Sequence, residues 1–151
     1  MKKIKILSLL TLIILFSCSQ NGLENIKYTV ILNDETGDFI FENSTPTTLS
    51  ETEIVEIESI IGCLVSNHIN TYGFTTSMAE NENGEQFFYR QYLPVILGNN
   101  EKAVWINFFC SNRKFENWQK ELVIVGDGGP CYFQVSVNLD KKIYFDYNVH
   151  H

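Results

Sequence analysis

The chain has 151 residues, 44% of them hydrophobic and 13% aromatic, and carries a formal charge of -7 with a pI near 4.9. That length is one domain's worth of protein, and the apolar fraction supports a packed core, which excludes disorder along the whole chain. The acidic balance argues against nucleic-acid binding and against a polybasic membrane patch, and three His with four Cys leave few metal or nucleophile options.

Residues 1–17 read as a secretion signal and stand outside the fold argument. Lys2, Lys3 and Lys5 form a positive leader, followed by an apolar run from Ile6 to Phe16 broken only by Ser8 and Thr11. The run is shorter than the roughly 20 residues that span a bilayer. It ends in Leu15-Phe16-Ser17-Cys18, which resembles the lipobox of bacterial lipoproteins. Phe16 departs from the commonest pattern at a tolerant position. The resemblance implies cleavage before Cys18, acylation of its thiol and of the new N-terminus, and membrane attachment through those lipids alone. Several acyl chains anchor stably where one would be marginal. The resemblance also implies the bacterial cell envelope, on the periplasmic side or the outer surface.

Cleavage there removes three Lys and no acid, leaving 8 Lys+Arg against 18 Asp+Glu, a charge of -10. Residues 18–25 read as the lipidated Cys and a flexible tether, and 26–151 as a single α+β domain.

Tyr28 to Leu32 and Phe39-Ile40-Phe41, separated by a polar stretch with Gly37, predict a hairpin. Asn43 to Thr48, with Pro46, reads as a loop. Ser50 to Ile69 is the clear helix: Ser50 and Glu53 make a capping box, and Ile54, Ile57, Ile61, Leu64, Val65 and His68 recur on one face, widened by Ile60 and Cys63. Thr75 to Glu85 is polar and reads as a loop. Phe87 to Leu97 is a long strand that Pro94 assigns to an edge or a bulge. Ala103 to Cys110 alternates strictly, with Val104, Ile106, Phe108 and Cys110 on one face and Trp105, Asn107 and Phe109 on the other. Leu122 to Val125 reads as a short strand. Gly126 to Pro130 is a turn, followed by Cys131 to Asn138. A last strand follows, with Ile143, Phe145, Tyr147 and Val149 on one face.

Short connections imply an antiparallel meander with the long N-terminal helix laid across one side, in the order ββ-α-βββββ. That two-layer order is similar to the cystatin-like architecture, a likeness of fold that carries no function. The run Val125-Gly126-Asp127-Gly128-Gly129-Pro130-Cys131-Tyr132-Phe133, with Val137-Asn138-Leu139, Lys142 and Tyr144, resembles the closing segment of small uncharacterised lipoproteins of Bacteroidota over about the last fifty residues, and implies no activity.

Cys110 and Cys131 are the candidate disulfide, since an exported chain meets oxidising conditions. If their strands were next-but-one neighbours they would stand about 9.6 Å apart, beyond disulfide reach, and they would stay buried thiols. His68, His150 and His151 have no zinc spacing, the first reading as a half-buried helix residue and the others as a frayed tail. Gly126 to Gly129 precedes a strand and not a helix, so it is a turn and not a phosphate loop. Asn81, Asn83 and Glu85 alternate as calcium ligands do, without the remaining ligands. Gln134-Val135-Ser136-Val137-Asn138 looks like the cystatin Q-x-V-x-G segment with Asn138 in place of Gly.

Trp105, Phe109, Tyr132 and Tyr144, interleaved with Asn107, Gln134, Asn138 and Asn148, fall on the sheet face away from the helix. Either they form a binding face for a protein, peptide or glycan, or residues 26–42 pack over them. No catalytic constellation, metal or cofactor is expected. The reading is a lipid-anchored binding module without enzymatic activity. Its alternative is an envelope inhibitor or immunity protein whose acidic surface docks a basic toxin or hydrolase.

Overall fold

The computed structural model describes residues 26–32, 40–73, 79–80, 86–111 and 114–150. The signal, Cys18, the tether, Phe39 and the alternating Asn81, Asn83 and Glu85 lie outside the described residues.

The helix α1 spans Glu51–Tyr72 and starts as its sequence dictates. The Glu53 N–H donates to Ser50 Oγ at 3.3 Å, and the Ser50 N–H donates to Glu53 Oε2 at 2.8 Å, satisfying two of the orphan donors of a helix start. Gly73 ends it at φ 61°, in the left-handed region where a side chain would be strained. Ile54, Ile57, Ile61, Val65 and His68 are buried, the stripe that the spacing predicts. His68 is fully buried, not half-buried. Cys63 is exposed and does not widen that stripe.

The strands are β1 (Lys27–Val30), β2 (Thr45–Pro46), β3 (Ala79–Glu80), β4 (Gln86–Phe87), β5 (Tyr89–Ile96), β6 (Lys102–Phe109), β7 (Tyr132–Asn138) and β8 (Ile143–Val149). Together with α1 they make an α+β fold. Six strands form one open sheet in the order β1-β5-β6-β7-β8, with β2 also on β5; β3 and β4 make a small separate pair. Every pairing is antiparallel except β1 on β5.

Several expectations change. The 28–32 strand does not enter a local hairpin: it runs parallel to β5, Lys27–Val30 beside Tyr89–Tyr92. Two expected loops each contain a two-residue strand, β2 within 43–48 and β3 within 75–85. β5 is internal, not an edge. Pro94 is tolerated because β1 pairs residues 89–92 and β2 pairs 95–96, so its missing N–H falls in the gap between them. Leu122 to Val125 is not a strand, so β6 and β7 are direct neighbours. That adjacency answers the cysteine question. Cys110 and Cys131 stand at the ends of adjacent strands, their Cα atoms 5.2 Å apart, and form a disulfide.

The main core lies between α1 and the sheet. Ile54, Ile57, Ile61 and Val65 pack against Tyr92, Val104, Ile106, Phe108, Phe133, Val135 and Val137. Each such aliphatic side chain contributes about 1.5–3 kcal/mol by leaving water.

The other face is covered too, by a different device from the one expected. Residues 114–125 leave β6, fold back over the sheet and rejoin β7. In register across four strands runs a row of amides, Gln91, Asn107, Gln134 and Asn148. The Gln91 Nε2 donates to the carbonyls of Trp118 at 2.6 Å and Glu121 at 2.7 Å, and its Oε1 accepts from the Val123 N–H at 2.9 Å. Asn107 Nδ2 donates to the Val123 carbonyl at 2.8 Å. Trp118 and Val123 close a second apolar cluster on Phe109. Phe41, from the 26–42 segment expected to cover this face, lies beside Phe145, with ring centroids 6.4 Å apart.

Candidate functional site

The four rings expected to share one open face do not. Phe109 is fully buried, stacked on Tyr89 at 5.3 Å and edge-on to Trp118 at 5.8 Å. Tyr132 is half-buried beside Phe115, and Trp105 is half-buried as well. Tyr144 stands opposite Val137, on the helix side of the sheet, and is 46% exposed. Of the amides read as partner ligands, Asn107 holds the cover through the Val123 carbonyl, and Gln134 donates to Asn107 Oδ1 at 3.3 Å. The Q-x-V-x-G-like run is β7 itself, paired on both sides and with Asn138 buried, so it presents no loop.

Tyr144 faces the helix side because the 139–142 turn pairs it with Val137, and beyond it β8 carries a bulge. Phe145 faces Ser136 and Asn148 faces Gln134, so Asp146 and Tyr147 together oppose Val135. Asp146 takes φ 50°, the left-handed conformation that a short polar residue tolerates. The extra residue breaks the alternation. Ile143, Phe145, Tyr147 and Val149 therefore do not share a face. Tyr144, Tyr147 and Val149 point toward the helix layer, and Ile143 and Phe145 away from it.

β8 is the last strand of the sheet, and among the described residues its outer edge has no strand partner. Ile143 is 50% exposed, Tyr144 46% and Tyr147 39%. The strand is anchored at its start by a turn in which the Lys141 N–H donates to Asn138 Oδ1 at 2.9 Å and the Lys141 ammonium meets Glu101 Oε2 at 2.7 Å. Lys142 pairs with Glu56 of α1 at 2.8 Å. At its end the His150 N–H donates to the Tyr132 carbonyl, so this residue is not frayed; His151 lies outside the described residues.

Midway, β8 is tied to the helix through His68. The Nε2 lies 2.8 Å from the Pro130 carbonyl, which can only accept, so Nε2 carries the hydrogen. Nδ1 then accepts from the Tyr147 hydroxyl at 2.5 Å. The ring stacks on Phe133 at 3.9 Å, with Tyr72, Phe88 and Tyr147 around it. Burial lowers the pKa of His68 below 6.5, against a smaller raising effect of the Pro130 carbonyl. The sign follows directly. Below about pH 6.5 the unfolded chain takes up a proton that the folded chain resists, so the His68 contribution is fully present above that pH and is lost as pH falls toward the folded-state pKa. Stability measured by urea unfolding is expected to fall between pH 7 and 5 in the wild type. In His68→Gln the slope over that interval is expected to flatten; an equal slope in both would refute the assignment.

A groove of about 690 Å³ lies on the cover and is lined by Phe115, Trp118, Leu122 and Ile124 among others. Ile124 is 79% exposed. Among the described residues no group of three or more His, Cys, Asp or Glu could hold a metal, and no helix is long and apolar enough to cross a membrane.

Spacing and composition did not point to Gln91, His68 or the β8 edge as the organising groups. Gln91 had one signal, an amide inside an otherwise apolar strand. The edge had none, because it depends on which strand comes last.

Compared with protein-family models, curated proteins and solved structures, the chain matches none.

Proposed function

We propose that this protein is a lipid-anchored binding module of the bacterial cell envelope, without enzymatic activity, that engages a protein, peptide or glycan partner through the β8 edge. The anchor rests on the leader and the Leu15-Phe16-Ser17-Cys18 run. The binding role rests on one observation: three of the large exposed apolar side chains, Ile143, Tyr144 and Tyr147, lie within seven residues of one edge strand. Apolar side chains exposed along an unpaired edge strand mark an interaction site. The finer, cystatin-like arrangement is our reading of α1 lying across β5 to β7; the parallel β1 stands apart from it.

Lipidation is tested by intact mass of the membrane-extracted chain. A chain beginning at Cys18 and carrying diacylglyceryl and acyl groups is expected. A thioether and a disulfide cannot share one sulfur, and the sequence has no fifth cysteine. An unlipidated chain with Cys18 linked to Cys63 would therefore overturn the anchor.

The binding role is tested by affinity capture from detergent-solubilised envelope, comparing wild type with Ile143→Ser/Tyr144→Ser at low and high salt. A partner retained in high salt and lost in the double variant supports the reading. A basic partner lost only in high salt, and indifferent to the substitutions, would favour the inhibitor or immunity alternative instead.

A further inference from the structure

We infer that the β8 edge takes an extended polypeptide strand, added to the sheet through backbone hydrogen bonds. This names the partner class for the binding role proposed above and rests on it.

The edge itself selects that chemistry. Among the described residues, the outward N–H and C=O groups of Ile143–Val149 meet no strand. A row of backbone donors and acceptors at strand spacing is matched by another extended backbone and by little else, which is how peptides add to exposed sheet edges. A glycan can stack on tyrosines, but it lacks the alternating donor and acceptor repeat.

The edge lacks most of the devices that keep such strands solitary. β8 contains no Pro and no Lys; Lys141 and Lys142 precede it and are committed to Glu101 and Glu56. The opposite side of the sheet is managed differently, since β5 is covered there by both β1 and β2. The one irregularity of β8 is the bulge at Asp146. It divides the edge into Ile143–Phe145 and Asn148–Val149 and so restricts the registers that an added strand could take.

The side chains fit the same occupant. An added strand sends alternate side chains to the two faces of the sheet. On one face they would meet Ile143 and Phe145, and on the other Tyr144 and Tyr147. Cross-strand aromatic and aliphatic pairs of this kind each contribute about 0.2–1 kcal/mol. The Tyr147 hydroxyl is held by His68, so its ring is positioned before any partner arrives. The fitting partner is a segment with apolar side chains on both faces and no acid beside Asp146.

The test is selection of random dodecapeptides displayed on phage against the mature full chain in detergent, followed by synthesis of the best binders. Two readouts address backbone pairing. Hydrogen exchange of the outward-facing β8 amides is expected to slow about tenfold when peptide is saturating. N-methylation of alternate peptide residues is expected to weaken binding about tenfold in one register and much less in the other, because paired and outward amides alternate. Peptides that leave β8 exchange unchanged, peptides that tolerate N-methylation at every position, or a selection that yields no binder would each overturn the inference. A captured envelope partner that depends on Tyr144, together with peptides tolerant of N-methylation, would remove the strand inference and leave the binding role standing. Capture of no Tyr144-dependent partner would remove both.

Discussion

Replacing Glu58 with alanine is expected to destabilise the fold by about 3–5 kcal/mol, the cost of leaving a buried cation without its partner. Arg90 is almost fully buried, and its Nε lies 3.0 Å from Glu58 Oε1, with side-chain exposures of 7% and 13%. The Nε–H is not aligned for a hydrogen bond, so the contact is an ion pair without that bond's added directionality. The rest of the guanidinium is held by the Phe88 carbonyl, 2.8 Å from Nη1, and by the Phe108 ring, 5.2 Å below. The same carboxylate oxygen accepts from the Tyr92 hydroxyl at 2.5 Å. Burial first, and then the Glu58 charge, push the Tyr92 phenol well above its usual pKa, so it stays a donor. Truncating Glu58 orphans a cation and a hydroxyl at once. Urea unfolding monitored by circular dichroism checks this. Because burying the pair is itself costly, the double variant Glu58→Leu/Arg90→Met is expected to recover most of the loss. A Glu58→Ala loss under about 1 kcal/mol would mean that water reaches the site and solvates the arginine.

Gln91→Leu is the second large effect, expected at about 2–4 kcal/mol although the side chains are similar in size. The glutamine is fully buried and satisfies three main-chain groups of the cover, the carbonyls of Trp118 and Glu121 and the N–H of Val123. Leucine leaves all three without that partner. The cover is then expected to loosen before the sheet does. Amide exchange over 114–125 should quicken while β5 to β7 stay protected, and Trp118 emission should shift to the red. Protection lost evenly across the sheet would show instead that cover and sheet unfold as one unit. The disulfide between Cys110 and Cys131 closes the base of this excursion and limits how far it can swing.

How much of this was legible depends on how far each feature reaches along the chain. The helix was legible in detail, because its cap joins residues three apart and its buried stripe repeats every three or four. The alternation of β6 and β7 was equally plain, and with it the composition of the main core. The disulfide was legible as a pair of candidates only. Its formation turned on whether Leu122 to Val125 entered the sheet, and that stretch has the β-rich apolar composition of a strand while serving as a cover pinned by Gln91 and Asn107. The aromatic face failed for two physical reasons. Its middle is sealed by a segment whose fit rests on side-chain amides far away in sequence, and its outer member, Tyr144, is set on the other face by the turn that pairs it with Val137, while the bulge beyond it splits Tyr147 and Val149 from Ile143 and Phe145. A bulge shifts every later side chain by one position, and nothing in a period-two pattern marks where it falls.

From its own residues, then, the sequence determined an α+β fold, a capped helix with one buried face, and strands whose inward residues build the core. All of these follow from local propensity and short-range periodicity. Tertiary structure alone decided the parallel placement of β1, the adjacency of β6 and β7, the burial of His68 and Arg90 against partners far along the chain, and the open edge at β8. Those depend on which distant segments meet, and the free energy that selects among them arises only when the layers pack.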